Sequence, residues 1–320
     1  LYRSREIFLD AQPAGGASTF SRLRQIVHTI KERTLHKPLQ TFLQRFLMVT
    51  EPAGRTLIRQ VPMARSSRPE SAFTVLSANL WHDWPRYRRF QERLETFAQM
   101  VSMEDVDVLL LQEVARTPEI HADKWLANRL GMSYIYSRAN GHHQGIGFEE
   151  GLAIFSRFPL AKPYLQQLKP DFEPFARRLV LGAELQTSHG LLPVFSVHLG
   201  MLPSQNGAQL CHLQSWVTEV AALRPALIGG DFNAHEDTSH IAQVKRTWLD
   251  LFRFMNPLAE GSTHVLHIPP WRKPSRRRLD YIFLQPGNQR WQVLDARHLD
   301  VPEAPYSDHS AVIARIEIDP

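Results

Sequence analysis

The chain has 320 residues, 43% hydrophobic and 22% charged, which is enough for a packed core without covalent staples, and a single cysteine, Cys211, excludes an intrachain disulfide. No run of 18 apolar residues occurs, so a conventional membrane-spanning helix is excluded. The net charge of +5 invites a nucleic-acid reading, but residues 1 to 70 hold 12 Lys+Arg against 5 Asp+Glu while the remainder holds 25 against 27, so the basicity belongs to the N-terminal segment.

Leu1 to Arg5 lead into no signal-peptide stretch, although a start at leucine leaves a removed leader open. Residues 1–70 read as a basic, helical N-terminal extension. Linker-like stretches at 11–19 and 62–71 bracket two helical patterns, Phe20, Leu23, Ile26, Val27 and Ile30, then, after Pro38, Leu39, Phe42, Leu43, Phe46 and Leu47. Arg22, Arg24, Lys31, Arg33 and Arg45 occupy the other faces. Two readings stay open: a helical hairpin docked on the main domain or a partner, and an interfacial pair making peripheral membrane contact through residues 20–48. From residue 72 to the end, a second domain (71–320) alternates short apolar runs with helical patterns. Strands are expected at 73–78, 106–111, 151–155, 192–197, 226–228, 279–284 and 311–318, and helices at 86–102, 120–130 and 208–223. Cys211, in the third helix, is expected to be a small buried apolar residue.

The apolar runs end abruptly in polar residues: Asn79, Glu113, His198, Asp231 with Asn233, Asp280, and Asp308 with His309. Strand ends are where ligand chemistry sits in α/β domains. In Ile-Gly-Gly-Asp-Phe-Asn-Ala (228–234) two glycines are expected to let the backbone turn tightly against a ligand, with Asp231 and Asn233 on one side of an extended segment. In Tyr-Ser-Asp-His-Ser-Ala-Val (306–312) neighbouring side chains point opposite ways, so His309 needs a partner other than Asp308. His142 and His143 read as a polar loop, since no further ligand lies at metal spacing. The basic cluster 271–278 reads either as a phosphate-backbone clamp or as a solvated loop.

Seven segments in order carry a resemblance: Ser-Ala-Asn-Leu (77–80), Leu-Gln-Glu-Val (111–114), Glu-Gly-Leu-Ala-Ile-Phe-Ser-Arg-Phe-Pro-Leu (150–160), Val-His-Leu (197–199), Gly-Asp-Phe-Asn-Ala (230–234), Leu-Asp-Tyr-Ile-Phe (279–283) and Ser-Asp-His-Ser-Ala-Val (307–312). Over residues 72–318 the sequence resembles the endonuclease/exonuclease/phosphatase superfamily. That resemblance implies an α/β fold in which a two-sheet β-sandwich is flanked by helices in four layers, α/β/β/α. It implies Mg²⁺, with Mn²⁺ as a substitute, held by Glu113 with Asn79 and Asp308. It assigns Asp231 to the attacking water, Asn233 and His198 to the phosphate oxygens, Asp280 to orienting His309, and Glu150 to orienting His198. Arg157 and Arg177 or Arg178 are weaker candidates at the cleft rim. A histidine at position 198, where abasic-site enzymes carry tyrosine, favours the deoxyribonuclease, sphingomyelinase and deadenylase branches. The expected activity is hydrolysis of phosphodiester bonds by a cytoplasmic nuclease acting on nucleic acid, with a membrane-acting lipid phosphodiesterase and a non-catalytic module of the same fold as alternatives.

Overall fold

A computed structural model describes residues 6–10, 55–59, 72–172, 176–266 and 274–318. In chain order the strands are β1 (Glu6–Asp10), β2 (Arg55–Arg59), β3 (Ala72–Asn79), β4 (Val108–Arg116), β5 (Ser133–His142), β6 (Phe148–Ser156), β7 (Leu160–Phe172), β8 (Ala176–Thr187), β9 (Gly190–His198), β10 (Ala226–Asp231), β11 (Leu249–Asp250), β12 (His264–Leu266), β13 (Ser275–Arg277), β14 (Asp280–Gln285), β15 (Trp291–Leu299) and β16 (Ala311–Ile318). The helices are α1 (Phe90–Met103), α2 (Ala122–Leu130), α3 (His143–Ile146), α4 (Pro203–Ala221), α5 (Ser239–Val244) and α6 (Leu251–Met255).

The period of two along the strands builds the layers. On β4, Val108 and Leu110 point to the core between the two sheets, whereas Leu109 and Leu111 point outward under α1 and α2. One sheet runs β1-β2-β5-β6-β4-β3-β16-β15 and the other β11-β14-β10-β9-β8-β7. β3 and β4 are parallel, as are β9 and β10, and the remaining pairs in both sheets are antiparallel. Phe90, Leu94, Phe97, Ala98 and Val101 give α1 one apolar stripe, which it lays on the first sheet. Leu210, Leu213, Val217 and Ala221 do the same for α4 on the second. The expected four-layer α/β/β/α arrangement is therefore observed.

Each expected strand of the main domain is present. The pattern reading omitted the long strands β5, β7, β8 and β15 and the short β11, β12 and β13. β7 carries Lys162, Pro163, Lys169 and Pro170 within its run, and β15 alternates between exposed and half-buried residues along an edge, so neither presents an apolar block. The first helix starts at Phe90 and not at 86, because Asp83, Tyr87 and Arg89 adopt left-handed backbone angles ahead of it. Within residues 1–70, the described pieces are strands: β1 pairs with β2, and β2 extends the first sheet beside β5. The helical patterns at 20–48 lie outside the described residues. Cys211 corrects its expectation, because it stands exposed on the outward face of α4. No helix among the described residues is long and apolar enough to cross a membrane.

Gly229 and Gly230 also correct theirs. They lie inside β10, where a Cβ on Gly230 would meet the Val197 carbonyl oxygen at 2.0 Å and one on Gly229 would meet Leu110 Cδ1 at 2.7 Å. They let strand approach strand and sheet approach sheet; the chain turns further on, at Asn233.

Arg278 resolves part of the basic cluster. It is buried, makes two bonds to Asp250 at 2.6 and 2.8 Å, and reaches Glu236 at 3.2 Å, with Arg253 and Lys245 closing the network. It thus joins the chain just before β14 to the turn after β10 and cannot serve as a phosphate clamp, whereas Arg276 and Arg277 are exposed. Replacing Arg278 with methionine leaves Asp250 buried and unpaired by its strongest partner, and should destabilise the protein by about 3–5 kcal/mol in urea unfolding.

Candidate active site

The ends of β3, β4, β9, β10 and β14, with the turn before β16, bring the predicted residues together. Asn79, the last residue of β3, donates through Nδ2 to Glu113 Oε1 at 3.2 Å and to Asp231 Oδ2 at 3.1 Å. The two acids, 118 positions apart in sequence, therefore share one amide. Asp231 ends β10 opposite His198 at the end of β9, and His198 Nε2 lies 3.5 Å from Asp231 Oδ2. Asp280, opposite Asp231 across the β10–β14 pair, holds His309 Nδ1 at 2.8 Å and accepts the Thr263 hydroxyl at 2.6 Å. The partner sought for His309 is thus Asp280. Asp308 instead lies 3.8 Å from His264 Nε2.

Glu113 reaches the cleft through a fault in its strand. Between Leu111 and Val114, β4 carries one residue more than β6, and Glu113 has φ +52°. Without that bulge the alternation would send the side chain outward with Leu109 and Leu111; with it, Val114 resumes the outward position and Glu113 swings to the strand end. Left-handed angles at a non-glycine residue are uncommon and cluster at functional sites. Asn233 has one too, φ +48°, and its N–H caps Asp231 Oδ1 at 2.9 Å, so Asp231 and Asn233 do not share an extended segment as expected. Asn233 Nδ2 donates to the Leu199 carbonyl at 2.9 Å, which leaves one amide hydrogen for a ligand.

The electrostatics divide the labour. Burial first, then the adjacent Asp280 charge, push the Asp231 carboxyl up to about 6, against the opposing pull of His309, the Asn233 N–H and Asn79. Burial first, then the neighbouring Arg178, His309 and His82 groups, hold the His198 imidazole well below its ordinary value, so it is neutral at pH 7. Burial works against the charged form of His309, but the Asp280 ion pair, helped by Asp231 and Asp308, outweighs it and holds the imidazolium up to about 10. Asp308 is also resisted by burial yet is lowered by His264 and His309.

Glu150 does not orient His198. It is buried in β6 and takes the Asn140 amide as its hydrogen-bond partner, its carboxyl raised by burial and by Glu113 against the pull of His82, Asn140 and Arg178. Arg157 is ion-paired with Asp105 and Asp107 at the Val108 end of β4, away from Glu113. Arg178 is near the site, since its charge acts on both His198 and Glu150. His143 binds the Thr117 carbonyl and faces His121 Nε2 at 3.2 Å, as a structural pair. The residues that sequence reasoning missed are His82, 3.4 Å from Glu113; His264, bridged to His309; Arg93; and Asn140. Only His82 carried a usable signal, lying three residues beyond Asn79.

The donor set fits a hard divalent cation. Acids outnumber cations at the cluster, Asp231 and Asp280 repel one another, and Asp280 Oδ1 is buried with no hydrogen-bond partner among the described residues. Asp231, Asp280 and His309 each offer a ligand atom within 4.8 Å of the others, as do His264, Asp308 and His309. Carboxylate and amide oxygens, of the kind that Glu113, Asn79 and Asp308 carry, are the ligand type that hard divalent cations prefer.

A two-sheet sandwich with acids, amides and imidazoles converging at the strand ends of both sheets defines a scaffold for phosphoester hydrolysis. The chain belongs to the endonuclease/exonuclease/phosphatase family, whose model matches residues 76–309. Members of this family are in general hydrolases of phosphoester bonds and are typically dependent on divalent metals. Among relatives, the uncharacterized protein YbhP of Escherichia coli K12 is 28% identical over 180 residues, covering 51% of this chain and 67% of its own. The fold matches the catalytic domain of human Nocturnin, solved with a bound sulfate anion, with a TM-score of 0.61 at 19% identity over 79% of this chain and 100% of that one. It also matches a mannosyl-6-phosphatase of Bacteroides thetaiotaomicron, with a TM-score of 0.56 at 20% identity over 77% and 99%.

The position of Asp231 has a consequence for stability. Its pKa in the folded protein, about 6, lies above the ordinary 3.8, so its environment favours the protonated form. That contribution is complete below pH 4 and is lost as the pH rises through 6. Asp231→Asn mimics the protonated acid and should therefore raise the metal-free protein's stability at pH 8 by on the order of 2–3 kcal/mol, with little gain at pH 4. Thermal unfolding in EDTA at both pH values checks this.

Proposed function

We propose that the protein is a divalent-cation-dependent phosphodiesterase with nucleic acid as its substrate. The observation that carries this reading is the convergence of Asn79, Glu113, Asp231 and His198 through direct contacts, with the Asp280–His309 pair beside them, all at the strand ends of one cleft.

Each group has a task suited to its charge. Asp231 is mostly ionised at neutral pH and basic enough to take a proton from, and aim, a water molecule attacking phosphorus. His309, kept protonated, has its Nδ1–H committed to Asp280, so Nε2–H is free to donate to a phosphate oxygen. His198, kept neutral, and the remaining Asn233 amide hydrogen supply further donors. Donors fixed before the reaction stabilise developing charge without reorganising. Glu113, Asn79 and Asp308 would hold Mg²⁺ or Mn²⁺, which supplies neutralisation of charge on the phosphate oxygens.

A second reading, a lipid phosphodiesterase at a membrane surface, draws on Met201 and Leu202, which follow the His198 strand end and are 73% and 52% exposed. A panel of DNA, RNA, sphingomyelin vesicles and inositol phosphates, each with Mg²⁺ and with EDTA, separates the two. Turnover of DNA or RNA is expected; turnover of vesicles alone would replace the first reading with the second, and no Mg²⁺-dependent turnover of any phosphate ester would overturn both. On the active substrate, Asp231→Asn and His309→Ala should each lower turnover by roughly a hundred- to ten-thousand-fold.

A further inference from the structure

The loop between β3 and α1 holds His82, a residue outside the seven segments quoted above, against Glu113. Three contacts fix its ring and backbone. Nδ1 accepts the Trp84 backbone N–H at 2.9 Å, so in the neutral ring the proton sits on Nε2. The ring meets Phe148 edge-on, with centroids 5.0 Å apart and planes at 64°. The preceding backbone is gripped by Arg93 of α1, whose Nη1 donates to the carbonyls of Leu80 at 3.1 Å, Trp81 at 2.7 Å and Tyr306 at 2.9 Å while the guanidinium lies over the Trp81 ring. One buried arginine thus fastens the His82 loop to the segment that leads into Asp308 and His309.

Held this way, His82 presents Nε2 3.4 Å from Glu113 Oε2, and its backbone N–H approaches the same oxygen at 3.4 Å. Asn79 Nδ2 occupies the other oxygen, Oε1. Each carboxylate oxygen of Glu113 therefore meets a protein donor and keeps lone-pair capacity for one further ligand. A glutamate left to itself samples several rotamers and must lose that freedom on capturing a cation. Here the freedom is already removed on both sides.

We propose that His82 is a positioning residue for Glu113: its Nε2–H fixes the rotation of the carboxylate so that the remaining lone pairs converge on a divalent cation. The inference rests on the reading of the site as a cation-dependent phosphoester hydrolase. It assigns His82 no contact with substrate. Its effect is on the affinity of Glu113 for the cation, and partners of this kind set metal affinity by about 10–100-fold.

The two amide side chains separate the roles of the ring nitrogens. In His82→Asn, the short amide can still accept the Trp84 N–H but does not extend to Glu113; in His82→Gln, the longer amide places an N–H where Nε2 stood. Mn²⁺ binding to the full chain is measured by calorimetry without substrate, alongside thermal unfolding and the Mn²⁺ dependence of hydrolysis. His82→Asn should bind Mn²⁺ about 10–100-fold more weakly at an unchanged unfolding midpoint, with a matching rise in the Mn²⁺ concentration for half-maximal turnover, and His82→Gln should recover most of the affinity. Wild-type affinity in folded His82→Asn would overturn the positioning role alone, as would equal weakening in both variants. A wild-type protein that binds no Mn²⁺, or whose binding survives Glu113→Gln, would overturn the cation-site reading beneath it.

Discussion

The site is organised by like charges forced together in a space from which water is largely excluded. Asp231 and Asp280 face each other across adjacent strands, both essentially buried, and Glu113 shares the Asn79 amide with Asp231. Taken alone, such a cluster is costly, and the raised Asp231 carboxyl is the record of that cost. The protein offsets it in part with the protonated His309 and with aimed amides. What remains unbalanced, including the unpartnered Asp280 oxygen, is a deficit of positive charge at a place where a cation and a phosphorus centre would meet. The same imbalance therefore accounts for the acid's basicity, for the attraction of a cation, and for the instability of the empty arrangement.

The surrounding fold keeps those charges from moving apart. Arg93 ties the loop after β3 to the segment before β16, and Arg278 ties the start of β14 to the turn after β10. Both are buried arginines that reach across elements distant in sequence, and neither touches the acid cluster directly. Gly229 and Gly230 let β10 sit close enough to its neighbours for Asp231 to face His198 and Asp280. Rigidity of this kind lets small differences in position translate into large differences in charge stabilisation.

Much of this was legible in the sequence because it depends on period and on abrupt changes of polarity. The apolar blocks ending in Asn79, His198 and Asp231 became strands that end at those residues, and the need of His309 for a partner other than Asp308 was met by Asp280. What stayed hidden depends on backbone detail or on distant pairing. The left-handed angle of Asn233 replaced the extended segment expected there, and the glycines before it proved to be packing residues. Glu150 lies beside Asn140 because β5 pairs with β6, and β5 was not anticipated, so its partner could not be inferred. The basic run ending in Arg278 looked like one surface feature although its last member is buried, since composition does not distinguish an exposed arginine from one sunk between acids. Cys211 was misplaced for the opposite reason: cysteine's usual burial yielded to the helical angle that turns this position outward.

The extra residue in β4 gives the site a dependence on count as well as on identity. Every strand neighbour of Glu113 is held by a regular ladder up to Leu111, and the ladder resumes at Val114. Deleting Gln112 would leave one residue opposite Leu152 and restore an unbroken ladder. The acid would then take the inward register of Val108 and Leu110, in the inter-sheet place where Gln112 now meets Ser196, and lose the turned-out position the bulge gives it. Chain length over this short stretch therefore decides where the acid points as firmly as its identity decides what it can bind.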